Sequence, residues 1–225
     1  PIGTAASAFG TVIMKATELQ PFLMGILVSV LVAAGVCQRA LDRLRLTDRQ
    51  ALLFVALIFI GGLLPDISIG RARVNVGGAL VPFGLAVYVW ARAGSAKERL
   101  RALAATLVTA AAVYAIGRFF PNEPETMPFD VNYLYGIAAG LIAYVFGRSR
   151  RSAFIAGVAG MLLADAAQAV MLWTDGIDQT LRLGGAGMLD TIVISGVSAV
   201  LFAEILGEFI ERCVRGAKRK EGARG

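Results

Sequence analysis

Asp165 and Asp190 are carboxylates embedded in apolar sequence, within Met161-Leu-Leu-Ala-Asp-Ala-Ala-Gln-Ala-Val and Ala186-Gly-Met-Leu-Asp-Thr-Ile-Val. An ionised side chain at mid-membrane costs ~2.5–3.5 kcal/mol, so in a membrane both must face protein or water. Two such groups within reach of each other can share a proton or hold a cation between them. Gln168, one helical turn after Asp165, can hydrogen-bond to either. A third carboxylate, Glu204, follows Asp190 by 14 residues. Fourteen steps of 100° return to within about 40° of the same helix face. With Ser195 and Ser198 between them, that face carries a sparse polar track. The plain alternative for Glu204 is pairing with Arg212 and Arg215, as expected of Glu208 and Glu211. The chain has no histidine, which removes imidazole acid–base chemistry and His-ligated zinc. No P-loop, nucleophile elbow or dinucleotide fingerprint occurs, and no cofactor or metal is expected.

The elements that must position these residues are apolar helices. Of 225 residues, 57% are hydrophobic and only 17% charged, and the mean hydropathy is +0.69. Soluble domains carry roughly 25% charge. Apolar runs recur at about the length that crosses ~30 Å of hydrocarbon. The expected fold is an all-α membrane protein with seven spans, roughly 21–38, 50–65, 77–94, 101–119, 131–147, 153–173 and 186–208. Span six, running outward, reaches Asp165 after ~18 Å, and span seven, running inward, reaches Asp190 ~8 Å from the outer face. Both aspartates then lie in the outer half, on adjacent antiparallel helices.

Charge sets the orientation. Arg39, Arg43, Arg45 and Arg49 follow span one; Arg92, Lys97, Arg99 and Arg101 follow span three; Arg148, Arg150 and Arg151 follow span five. Arg212, Arg215, Lys218, Arg219, Lys220 and Arg224 fill the tail. The opposite side keeps Lys15, Arg71, Arg73, Arg118 and Arg182. The positive-inside rule puts the C-terminus in the cytoplasm and the N-terminus outside. The net charge of +6 is explained by this distribution and not by nucleic acid. Cys37 and Cys213 fall on the reducing side and read as apolar packers. Residues 1–15 lack the basic start of a signal peptide. Outside, the Pro-rich stretch 117–128 is a loop. Alternation about Gly70 over residues 67–76 predicts a short hairpin, and 175–183 is its expected counterpart.

Two segments nearly repeat. Arg73-Val-Asn-Val-Gly-Gly-Ala-Leu and Thr180-Leu-Arg-Leu-Gly-Gly-Ala-Gly each lead into a span. Laying Gly77 on Gly184 places spans one to three over spans five to seven, a parallel 3+1+3 repeat with span four as linker. The domain reading follows: an interfacial segment 1–20, a first repeat 21–94, a linker span and outer loop 95–130, a second repeat 131–211 and a basic tail 212–225. Gly-Gly at a helix start permits close helix approach, or leaves N–H groups open to an anion. On the second use, Gly77, Gly78, Gly184, Gly185 and Gly187 line a site, beside Asn75, Asp165, Gln168, Asp190 and Glu204. Asn75 otherwise reads as a helix cap, and Asp66 as an ion pair or turn former near Arg71 and Arg73.

Asn75-Val-Gly-Gly-Ala-Leu-Val-Pro82, Gly160-Met-Leu-Leu-Ala-Asp165 and Gly184-Gly-Ala-Gly-Met-Leu-Asp190 resemble the signature segments of domain-of-unknown-function family 1614, over roughly residues 50–207. Thr191 stands where that pattern has glycine. The resemblance implies a bacterial inner-membrane protein with Asp165 and Asp190 as characteristic residues, and it implies no activity.

Three functions fit these residues. The first is translocation of a small solute or cation through a polar site between the Gly-rich helix starts and Asp165/Asp190. The second is an intramembrane aspartyl peptidase with Asp165 and Asp190 as catalytic dyad, although neither Gly-x-Gly-Asp nor Tyr-Asp occurs at these positions. The third is a non-enzymatic scaffold. The partners expected are the lipid bilayer and, for a carrier, the solute or cation.

Overall fold

A computed structural model describes residues 35–42, 44, 46–119 and 131–221 of the chain. The expectations for residues 1–20, for most of span one, for the Pro-rich stretch at 120–128 and for residues 222–225 lie outside the described residues. So do the side chains at 207–221, including the pairing expected of Glu208 and Glu211 with Arg212 and Arg215.

Residues 35–42 are the described part of α1. Helix α2, Asp48–Leu63, opens on a capping box in which Thr47 and Gln50 satisfy each other's backbone N–H. It stops because Pro65 forces Leu64 into extended backbone, φ −76°, ψ 152°. The expected hairpin follows: β1, Ile67–Ile69, runs antiparallel to β2, Ala72–Val74, about Gly70 at φ +58°. Its expected counterpart is instead a single strand, β3, Leu181–Leu183, which joins the same sheet parallel to β2.

A π-helical turn, Val76–Leu80, leads into α3, Val81–Ala91. Then come α4, Ala96–Phe119, α5, Val131–Gly147, and α6, Arg150–Thr174. After β3 a 3-10 turn, Gly187–Leu189, precedes α7, Thr191–Glu221. The two Gly-Gly-Ala segments thus differ in local form, one a π turn and the other a bend followed by a 3-10 turn.

Helices α4 to α7 pack into a bundle, with α3 against α6 and α2 against the π turn. Small residues make the crossings. Gly160 of α6 lies on Thr109 of α4, Gly157 of α6 on Ser195 of α7, and Gly140 of α5 on Ser198 and the Ser195 carbonyl. Ala102, Ala105, Ala139, Ala156 and Ala199 are fully or almost fully buried. Such surfaces let backbones approach closely, which is how helices associate where lipid removes the hydrophobic drive. Ser195 donates its hydroxyl to the Gly157 carbonyl at 3.0 Å. That corrects its place in a polar track: it ties α7 to α6.

Among the described residues the Thr109 hydroxyl, fully buried, has no hydrogen-bond partner, whereas Thr106 donates to the Ala102 carbonyl at 2.8 Å. Thr109→Val keeps the shape and removes the unmet group. It should raise thermal stability in detergent by about 1 kcal/mol, and a melting temperature below that of the parent would disprove this account of the site.

Helices α4 and α6 are long and apolar enough to cross a membrane, each holding, within Ala96–Arg118 and Arg150–Thr174, an 18-residue stretch of mean hydropathy 1.6 and 1.7 respectively. Among the described residues four shorter apolar helices accompany them. Large apolar side chains face outward: Leu63 is 75% exposed, Leu100 69% and Leu107 63%, with Leu53, Ile60, Phe83, Val145 and Ile205 also exposed.

Candidate functional site

The site grows from the sheet end of the bundle. Asn75, 3% exposed, stands at the end of β2 and caps the π turn. Its Oδ1 accepts from the N–H groups of Gly77 and Gly78, both at 3.0 Å. Its Nδ2 donates to Asp66 Oδ1 at 3.1 Å and to the Leu64 carbonyl at 3.4 Å. The N–H groups of Gly77 and Gly78 are therefore spoken for inside the protein, and the reading that offered them to an anion is corrected.

Sterics explain why both positions are glycine. A Cβ on Gly77 would collide with the Gly62 nitrogen and the Ile58 carbonyl, and one on Gly78 with the Gly184 carbonyl. Gly184 adopts φ +73° and presses on Gly78 and Ala79, a conformation and a closeness that only glycine meets without strain. The two repeated segments touch each other here, backbone to backbone. Gly187 packs on Gly62, while Gly185 is exposed beside the Arg182 side chain.

Asp190 is not inside the helix, as the sequence reading had it, but caps it. Helix α7 begins at Thr191, and Asp190 holds extended backbone, φ −69°, ψ 147°. Its Oδ1 accepts from the Ile192 N–H at 3.0 Å and its Oδ2 from the Ala186 N–H at 3.2 Å. The Thr191 hydroxyl adds a longer contact of 3.5 Å to Oδ1. This is an N-cap, stabilised by free N–H groups and by the positive end of the helix dipole.

Asp165 sits on α6, half-buried and without a hydrogen-bond donor among the described residues. It shares a cavity of about 370 Å³ with Gln168, Asp190, Thr191 and Arg182. Gln168 bonds to neither carboxylate. A smaller cavity of about 130 Å³ continues past Asp165, Gln168 and Thr191 toward Tyr114, Tyr135 and Met161. A third, of about 260 Å³, again reaches Gln168, beside Arg118 and Asp175. Gln168 is thus common to all three spaces. Three of the expected site residues, Asp165, Gln168 and Asp190, are brought together, and Glu204 lies further along α7, away from these cavities.

At the cavity mouth Arg182 donates from Nε to Asp66 Oδ2 at 3.0 Å. The Asp66 side chain is 14% exposed and that of Arg182 63%. The Asn75 amide, with the Arg182 guanidinium next, holds the Asp66 carboxyl below its usual range against the opposing effect of partial burial. The pairing with Arg182 is present at neutral pH and is lost only as acidification protonates Asp66.

The family model DUF1614, described as a protein of unknown function, matches residues 66–202. This chain belongs to the DUF1614 family. No curated protein and no solved structure matches it. The DUF1614 range opens on Asp66 itself and contains Asn75, both Gly-Gly segments and every residue named here as lining the cavities; Glu204 falls just beyond it.

Sequence reasoning missed Arg182, Thr191, Tyr114 and Tyr135 in this DUF1614 site. Arg182 is drawn in by the parallel pairing of β2 with β3, in which Arg73 faces Arg182. Pairing of strands more than a hundred residues apart leaves no local signal. Thr191 was legible only as a departure from the family pattern.

Proposed function

We propose that this DUF1614 protein is a bacterial inner-membrane protein of seven spans, N-terminus outside and C-terminus cytoplasmic, that translocates a small solute or cation through the cavity at Asp165, Gln168 and Asp190. The carrying observation is that Asp165 and Gln168 of α6 and Asp190 at the start of α7 line one space of about 370 Å³. Asp165, a carboxylate without a donor among the described residues, shares that space with a fixed carboxylate, Asp190. A cation or proton carrier needs one anion that can exchange its partner and a rigid frame that cannot.

Apolar side chains exposed over α2, α3, α4 and α5 support burial in lipid. Polar atoms gathered at one end of two long apolar helices support a site reached from the outer face. The parallel 3+1+3 repeat draws support from the contact between the two Gly-Gly segments and from the parallel pairing of the strands before them. The strand register, Ala72 opposite Leu181, is two residues off the offset that superposes the glycines, so the same faces still correspond. In this scheme residues 1–20 lie at the interface, 21–94 and 131–211 are the repeats, 95–130 is the linker and 212–225 the anchor.

The peptidase reading uses the same cavity. It requires Asp190 to exchange protons with water, and both of its oxygens accept from backbone N–H groups. That arrangement favours the carrier.

The test is flux. Full-length protein in liposomes holding a pH-sensitive dye is given a potassium diffusion potential, and proton entry is followed with sodium or potassium outside. Asp165→Asn should cut the rate at least about tenfold, a loss of ~1.4 kcal/mol, while the protein elutes from a sizing column as the parent does. Asp190→Asn should reduce flux and stability together. Equal rates in parent, Asp165→Asn and empty liposomes would sink the proposal.

A further inference from the structure

We propose that residues 175–183 form a hinged strap that governs how far the Asp165–Asp190 cavity opens, held in place by Arg182 on Asp66 and by Arg71 on Asp178. The inference rests on the site described above and concerns its regulation, and it needs only the cavity to exist, whatever passes through it.

Three observations carry it. First, the strap is part of the wall. Gln179, Thr180, Leu181 and Arg182 line the cavity together with Asp165, Gln168 and Asp190. Second, the strap is lightly held. Every residue from Thr174 to Thr180 is exposed, so this stretch buries little apolar surface. Segments with few buried contacts open at low free energy. Its side-chain attachments are few: Arg71 Nε to Asp178 Oδ1 at 3.5 Å, Arg182 to Asp66 at 3.0 Å, and Trp173 Nε1 to the Gln179 carbonyl at 2.8 Å. The rest are the short β2–β3 ladder, two backbone bonds from Gly176 and Ile177 to the end of α6, and Leu183 against the core. Third, the ends are fitted for turning. Gly176 lies at φ +79° with open space about it, and Gly184 at φ +73° is clamped on Gly78 and Ala79. One end turns at an uncrowded glycine, where two backbone bonds tie the chain to α6, and the other is a fixed pivot.

The latch residues are well chosen for a device that must release. Asp66 is anchored to Asn75 and so belongs to the immobile side. Arg182 is exposed over most of its length and belongs to the moving side. Each ion pair lies at the surface, where such pairs contribute little individually. Two of them over a short ladder hold a strap without fixing it.

Access is measured directly by placing a thiol in the cavity. Thr191→Cys in the full-length protein is labelled with a hydrophilic maleimide, and the labelled peptide is followed by mass spectrometry so that Cys37 and Cys213 are scored apart. Backbone hydrogen exchange is recorded on the same samples. Adding Arg182→Gln should speed labelling of position 191 about three- to tenfold, and adding Asp178→Asn about twofold. Exchange should rise over 177–183 and stay unchanged in α4 and α6. Asp178 does not line the cavity, so its effect reports the latch and not a wider hole. Unchanged labelling in both variants overturns the strap. So does faster labelling accompanied by faster exchange throughout α4 and α6, which would mark general loosening. Neither result bears on whether the protein transports anything; a strap that opens in a chain without flux would leave the strap standing and the carrier fallen.

Discussion

Gly78→Ala should leave little folded protein to recover. The added methyl group would fall on the Gly184 carbonyl, with the Gly184 carbonyl carbon and Cα at 2.7 and 2.8 Å behind it. All three obstacles are backbone, so no rotamer change relieves them. The surroundings cannot retreat either, because Gly184 is itself pressed on Ala79. Overpacking costs about 1–3 kcal/mol where side chains can yield. Here the penalty should be about 3 kcal/mol at the least, a large part of a typical stability of ~5–15 kcal/mol. Gly77→Ala should behave alike, meeting Gly62 and Ile58 backbone. Gly84→Ala is the control: open space surrounds that position in α3, and alanine favours a helix by roughly 0.5–1 kcal/mol over glycine. Fluorescence-detected size exclusion of tagged, detergent-extracted protein separates the cases. A sharp, parent-like peak for Gly78→Ala would contradict the close backbone crossing.

Asn75→Ala should be nearly as damaging, for a different reason. The change removes one acceptor shared by two N–H groups and one donor shared by Asp66 and the Leu64 carbonyl. Nothing is overfilled; polar groups are left unmet in a place that excludes water. Each orphaned buried group costs about 1–3 kcal/mol, and two donors are stranded at once. The expected fall in melting temperature is about 5–20 °C. Asn75→Asp keeps the acceptor but sets a second carboxylate against Asp66, and should fall between parent and alanine. It should recover toward the parent as pH drops and that repulsion is discharged. If Asn75→Ala melts with the parent, the cap is not what holds the π turn.

Composition and periodicity made the helices legible, because long apolar runs have few other folds open to them. The hairpin was legible from alternation about Gly70, and the end of α2 from Pro65. Asp165 with Asp190 was legible because a carboxylate in apolar sequence needs a polar neighbour, and depth along two successive helices put both at one level. What stayed hidden depends on tertiary backbone geometry. Gly-Gly-Ala reads the same in both copies, but Asn75, two residues before the first, caps it as a π turn. The second has Arg182 at that position and bends at Gly184 instead. Asp190 was read as lying within a helix because hydropathy does not mark where a helix begins; the cap is decided by the Ala186 and Ile192 N–H groups that reach it. Arg182 was counted only as one of the few basic residues on its side, and its partner Asp66 is set by strand pairing across 116 positions.

The crossing of Gly78 with Gly184 also orders events in time. Gly184 is made 106 residues after Gly78, and synthesis proceeds at ~5–20 residues per second. For roughly 5–20 s the nascent first half therefore lacks the segment that packs on Gly78 in the finished fold. An insertion factor that shelters that uncovered surface would be needed early and dispensable afterwards. A chain split between the halves should assemble only when both pieces are synthesised together.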